Sequence, residues 1–141
     1  QQELNSQLGT VPLNLELPVY GVSGGKEDYT DVNTAQLKAL EGYRLLKADP
    51  ARAKSNLAEA GAAWEAALKE FDPLNKKARI QPNMVADMAF NAAYALGYAQ
   101  EWDRAQAVLN RAAGWDLSKK EREDLKEAGA FVADWKARMA R

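Results

Sequence analysis

The chain has no cysteine and no histidine. Their joint absence removes cysteine nucleophiles, serine–histidine triads and the usual zinc and di-iron ligand sets, leaving an enzyme only carboxylate, lysine, tyrosine or arginine chemistry. Without cysteine, no disulfide pattern points to an oxidising compartment. Net charge is nearly absent as well: 19 Lys and Arg oppose 20 Asp and Glu, for −1 overall. That balance gives no electrostatic footprint for nucleic acid or an anionic membrane. No apolar run approaches the ~18 residues of a membrane span. What is present, 47% hydrophobic and 28% charged residues over 141 positions, suits one soluble domain that buries roughly two-thirds of its unfolded surface.

The densest pattern lies between positions 85 and 113. Val85, Met88, Ala89, Ala92, Leu96 and Ala99 recur at three- and four-residue steps, the stripe of an amphipathic helix. After a break at Gln100 to Trp102, Ala105, Val108, Leu109, Ala112 and Ala113 repeat it. Two such segments joined by a few polar residues fold back antiparallel, and the many alanines let their backbones approach closely.

The stretch Ala86 to Leu117 resembles one tetratricopeptide repeat, a helix pair of about 34 residues that stacks on copies of itself. Taking Ala105 as the small residue early in the second helix, Ala93 falls where the first helix has Gly or Ala. Trp102 then marks the turn, Leu109 the large apolar position, Ala112 the last small one, and Asp116-Leu117 the end of the unit. Ala89, Leu96 and Leu117 depart from the family's large aromatic, Tyr and Pro. A more divergent unit is expected at about 34–73, where Ala60, Trp64 and Ala67 echo Ala105, Leu109 and Ala112 at a 45-residue offset. The resemblance implies an all-α fold of tetratricopeptide-like hairpins, about five helices with a C-terminal closing helix, and a groove that holds protein or peptide.

Read in order, residues 1–30 form an extended arm and residues 31–141 the helical domain. Val11, Leu13, Leu15, Leu17 and Val19 alternate with Pro12, Asn14, Glu16 and Pro18, an extended segment limited by its prolines to an edge strand. It either lies across the helices or completes a sheet supplied from elsewhere. Gly21 to Lys26 imitates a phosphate loop, but the spacing is one residue short and Glu27 stands where Ser or Thr would hold the metal. A turn is the better reading.

The first helix is expected from Asn33, capped through Asn33 and Gln36, with Leu37, Leu40, Tyr43 and Leu46 as its stripe. Asp49 and Pro50 end it and begin the next, whose seam runs through Ala53, Leu57, Ala60, Trp64, Ala67 and Phe71. A basic connector, Lys76, Lys77 and Arg79, leads to the third helix at Pro82. Gly114 stops the fourth, and Ser118 with Glu121 caps the last, lined by Leu125, Ala128, Val132, Trp135 and Met139.

One face of the third helix carries Asp87, Phe90, Asn91, Tyr94 and Tyr98, an aromatic and amide strip where charge is usual. The resemblance puts these positions on the groove, where peptides bind. The competing reading is that the first helix or the N-terminal arm covers the strip and its rings are core. It holds no Lys or Arg to grip a carboxylate. Trp64, Trp102, Trp115 and Trp135 read as core, and Glu59 with Glu65, or Glu101 with Asp103, as solvated carboxylates and not an acid–base pair. The expected function is therefore a non-catalytic protein- or peptide-binding module with no cofactor and no metal. The alternative is a structural accessory domain of a larger or exported assembly, its arm donating an edge strand. The chain opens with Gln1-Gln2, which fits removal of an export leader and a periplasmic or envelope location, with room for a tether through the lost N-terminus. The cytoplasm is the other option.

Overall fold

A computed structural model of the protein describes residues 30–74 and 82–140. Among the described residues the fold is all-helical, with no strand. The helices are α1 (Thr30–Leu45), α2 (Pro50–Phe71), α3 (Pro82–Tyr98), α4 (Trp102–Ala112) and α5 (Lys119–Met139). The arm with its alternating segment, the phosphate-loop imitation and the basic connector lie outside the described residues.

Local chemistry sets most of the boundaries. Asp49 Oδ1 accepts the Arg52 backbone N–H at 3.2 Å, and Pro50 follows as the first helical residue, where its missing N–H costs nothing. Ser118 Oγ accepts the Glu121 N–H at 3.4 Å and opens α5. The start of α1 differs from expectation. It begins at Thr30, so Asn33 lies inside its first turn and is not the cap.

The end of α3 is a Schellman turn: Glu101 N–H donates to Leu96 O at 2.8 Å and Gln100 N–H to Gly97 O at 3.0 Å. This motif needs a left-handed residue, and Gln100 takes it at φ 65°. Gly114, the expected stop of α4, is not in the left-handed region, and the chain leaves that helix through tight turns, Gly114 N–H to Arg111 O and Trp115 N–H to Ala112 O.

Helix α3 is the hub, packed against α2, α4 and α5, while α1 packs on α2 and α5 also touches α4. Its predicted stripe, Val85, Met88, Ala89, Ala92, Leu96 and Ala99, is no more than 3% exposed, and Ala93 and Ala95 on other faces are buried too. Neighbours on three sides require this. The α2 seam from Ala53 to Phe71 is buried throughout, around a fully buried Trp64. Close approach rests on glycine at three crossings, the first at Gly42, where a Cβ would stand 2.6 Å from Leu57 Cγ. A Cβ on Gly61 would stand 2.7 Å from Leu96 Cγ, and one on Gly97 2.8 Å from Phe131 Cε2, all inside the contact limit.

One predicted face shifts, and one predicted row ends early. In α1 the buried residues are Val32, Ala35, Ala39, Gly42 and Tyr43, and Leu37 is 69% exposed. Small residues let α1 settle onto Leu57 of α2 at Gly42, which turns Leu37 outward. Met139 is likewise exposed, as the last residue of α5, past the rest of its row.

Candidate functional site

The aromatic strip of α3 meets matching rings on α5. Tyr94 stacks on Phe131 with centroids 4.6 Å apart, Tyr98 lies 4.9 Å from Phe131 and 5.4 Å from Trp135, and Phe90 sits 4.8 Å from Tyr94. Tyr43 of α1 adds an edge-to-face contact with Tyr98 at 5.6 Å. Offset and tilted geometries at these separations are attractive beyond the area they bury.

Exposure divides the five strip residues. Asn91 and Tyr94 are buried, whereas Asp87, Phe90 and Tyr98 are half-buried and keep an edge toward solvent. Phe131 and Trp135 are half-buried too. The usable face is therefore shared: Phe90 and Tyr98 from α3 beside Phe131 and Trp135 from α5. The two α5 rings were the part that the strip alone did not reveal. Phe131 and Trp135 stand at i and i+4 on the last helix, a spacing that marks one face without naming what it meets.

Carboxylates border this face. Burial, and then the nearby charges of Glu127 and Asp124 together with the Tyr98 phenol, push the Tyr94 hydroxyl up to about 12. Burial raises Tyr98 as well, and Tyr43 lies well above its ordinary value because it is buried and faces two other phenols. The Tyr43 hydroxyl has no hydrogen-bond partner among the described residues.

At the C-terminal end of α3 the rings open into a cleft of about 500 Å³, lined by Leu46, Pro50, Lys54, Tyr98, Gln100 and Trp135. Gln100, the left-handed residue, donates from Nε2 to Met139 Sδ at 3.7 Å across the cleft's edge. A non-glycine residue held there stores roughly 1–3 kcal/mol of strain, and such outliers gather at ligand-contacting positions.

The opposite side, between α2 and α4, is ionic. Arg104 Nε donates to Glu65 Oε2 at 3.2 Å, and its second nitrogen pairs with Glu65 Oε1. Arg111 Nε donates to Asp72 Oδ2 at 2.6 Å, and Trp115 Nε1 and the Leu74 N–H donate to Asp72 Oδ1 at 3.2 and 2.8 Å. Burial alone would raise the Asp72 carboxyl. The Leu74, Arg111 and Trp115 donors outweigh it and hold the group below the usual carboxylate range. Cations also hold members of both carboxylate pairs singled out in the sequence. Glu65 and Glu59 each face a cation, Arg104 and Lys38 respectively, and Glu101 lies 3.8 Å from Arg104.

Of the tryptophans, Trp64 and Trp115 are core as expected, and Trp102 and Trp135 are half-buried. Among the described residues no group of His, Cys, Asp and Glu comes together to hold a metal ion, and no helix is long and apolar enough to cross a membrane. Against known proteins, no family model, no curated protein and no solved structure matches this chain.

Proposed function

We propose that the chain is a non-catalytic module whose tetratricopeptide-like helix pairs hold a peptide or a partner protein against the aromatic face of α3 and α5, in the cell envelope if the chain is exported. One observation carries this reading: the half-exposed rings of Phe90, Tyr98, Phe131 and Trp135 form a continuous edge bordered by Asp124 and Glu127 and ending in the Gln100 cleft. Rigid rings supply contact area at low entropic cost, and the bordering carboxylates favour a partner segment with Lys or Arg beside an apolar or aromatic anchor. The helix order supports the pairing. Successive helices pack from α1 to α2 and from α3 to α4, and α3 also packs on α5, as stacked antiparallel pairs require.

The test is selection of 12-residue peptides from a random library, followed by affinity measurement on Phe90→Ala and Tyr98→Ala variants. The expected outcome is enrichment of basic and aromatic sequences whose affinity falls about tenfold in each variant. Peptides that bind both variants as well as the parent would sink the assignment of the face, and no enrichment over an unrelated helical protein would sink the function.

A further inference from the structure

We infer that the cleft between α4 and α5, on the flank of α5 turned away from the rings, binds a free carboxylate that carries an apolar tail. The cleft holds about 470 Å³, within the range of small-molecule sites. Its floor is Leu109, Leu117 and Leu125, and its α5 wall presents Arg122 and Lys126 one turn apart. Among the described residues no carboxylate lines it.

The state of Arg122 decides the ligand's charge. Its Nε donates to Leu117 O at 3.2 Å and its terminal nitrogen to Trp115 O at 3.1 Å, so the guanidinium is fixed by two main-chain carbonyls. Carbonyls orient a cation but do not neutralise it. Arg104, Arg111 and Arg138 each face a carboxylate, whereas Arg122 and Lys126 form no ion pair among the described residues. The acids of α5 that act on Tyr94, Asp124 and Glu127, belong to the other flank of the helix. A pre-oriented, uncompensated guanidinium at the mouth of a leucine-floored cleft matches a carboxylate head with a hydrocarbon tail. On the α4 wall Gln106 Nε2 bonds to Asn110 Oδ1 at 2.8 Å, which leaves amide donors at the rim for the second carboxylate oxygen.

The experiment titrates octanoate into the whole chain, follows the leucine methyl resonances by NMR, and runs 1-octanol and acetate as controls. Octanoate is expected to move the Leu109, Leu117 and Leu125 methyls and to bind about tenfold more tightly than either control, since each lacks one half of the ligand. Arg122→Gln should weaken binding about tenfold, and Lys126→Gln, whose side chain forms no hydrogen bond or ion pair among the described residues, about threefold. If Arg122→Gln loosens the α4–α5 turn, Lys126→Gln decides alone. Equal binding of 1-octanol, octanoate affinity unchanged in Lys126→Gln, or shifts confined to the ring face would each overturn the proposal. So would binding of a leucine- and glutamate-containing peptide in the same cleft when octanoate itself does not bind.

Discussion

Helix α3 joins α5 through rings, whereas α2 joins α4 through charge. On the first side five aromatic side chains, Phe90, Tyr94, Tyr98, Phe131 and Trp135, pack ring against ring. On the second, Glu65–Arg104 and Asp72–Arg111 repeat at the same 39-residue separation, with Leu68 and Val108 between them. The difference separates roles. Ring packing draws on the area it buries and accepts several offset and tilted geometries, so it can leave ring edges exposed; ion pairs are weaker but directional, so they fix how α4 sits against α2. Asp72 is the exception among the charges, since its buried carboxylate satisfies three donors at once.

The contrast can be broken most sharply at Tyr94. Tyr94→Ala should cost about 3–5 kcal/mol in denaturant unfolding, as for other buried large aromatics. A loss under 1 kcal/mol would mean the ring side is not the stronger one. Asp72→Ala comes next, at about 2–3 kcal/mol, because the buried Trp115 indole N–H and the Leu74 N–H lose their acceptor.

The two sides should also fail at opposite ends of the pH scale. Asp72 has a depressed carboxyl, so its contribution is complete above the ordinary value of about 4 and fades as pH falls through the folded value. Tyr94 is raised to about 12, so its contribution is complete below the ordinary phenol value near 10 and fades from there toward about 12. Thermal melts across both windows check this: Asp72→Asn should flatten the acid limb only, and Tyr94→Phe the alkaline limb only. Replacing Gln100 with Gly should raise stability by about 1 kcal/mol by removing left-handed strain, and should weaken any ligand that uses the cleft. The smallest effect belongs to Glu65→Gln, below about 1 kcal/mol, because that pair is partly solvated.

Much of α2 was legible before any coordinates. Asp49 and Pro50 announce its start, and the four- and three-residue steps from Ala53 to Phe71 could bury only one face. The row on α3 was equally plain, because its large and small residues share one period. Helix α1 misled for a physical reason: its buried face is Ala35, Ala39 and Gly42, and apolar size drew attention to Leu37 on the outside. Close approach selects small residues, which carry little hydrophobic signal. The left-handed Gln100 had no signal at all, since Gly is the residue that marks such a site and Gly114 drew the expectation elsewhere. Phe131 and Trp135 were visible as apolar residues, but their partnership with the α3 strip depends on how α5 returns across the bundle.

Helix α2 is 22 residues long, about 33 Å at the usual rise, and serves two neighbours in succession. Leu57 meets α1 at Gly42, and one turn later Gly61 meets α3 at Leu96. In stacked-repeat proteins each unit can fray from an end with its own local stability. Here one uninterrupted rod packs on both α1 and α3, so unwinding α2 where it meets α1 would remove part of the support of α3. The slowest-exchanging amides should therefore run along the middle of α2 into α3, and protection should be lost from α1 through α4 in a single cooperative step.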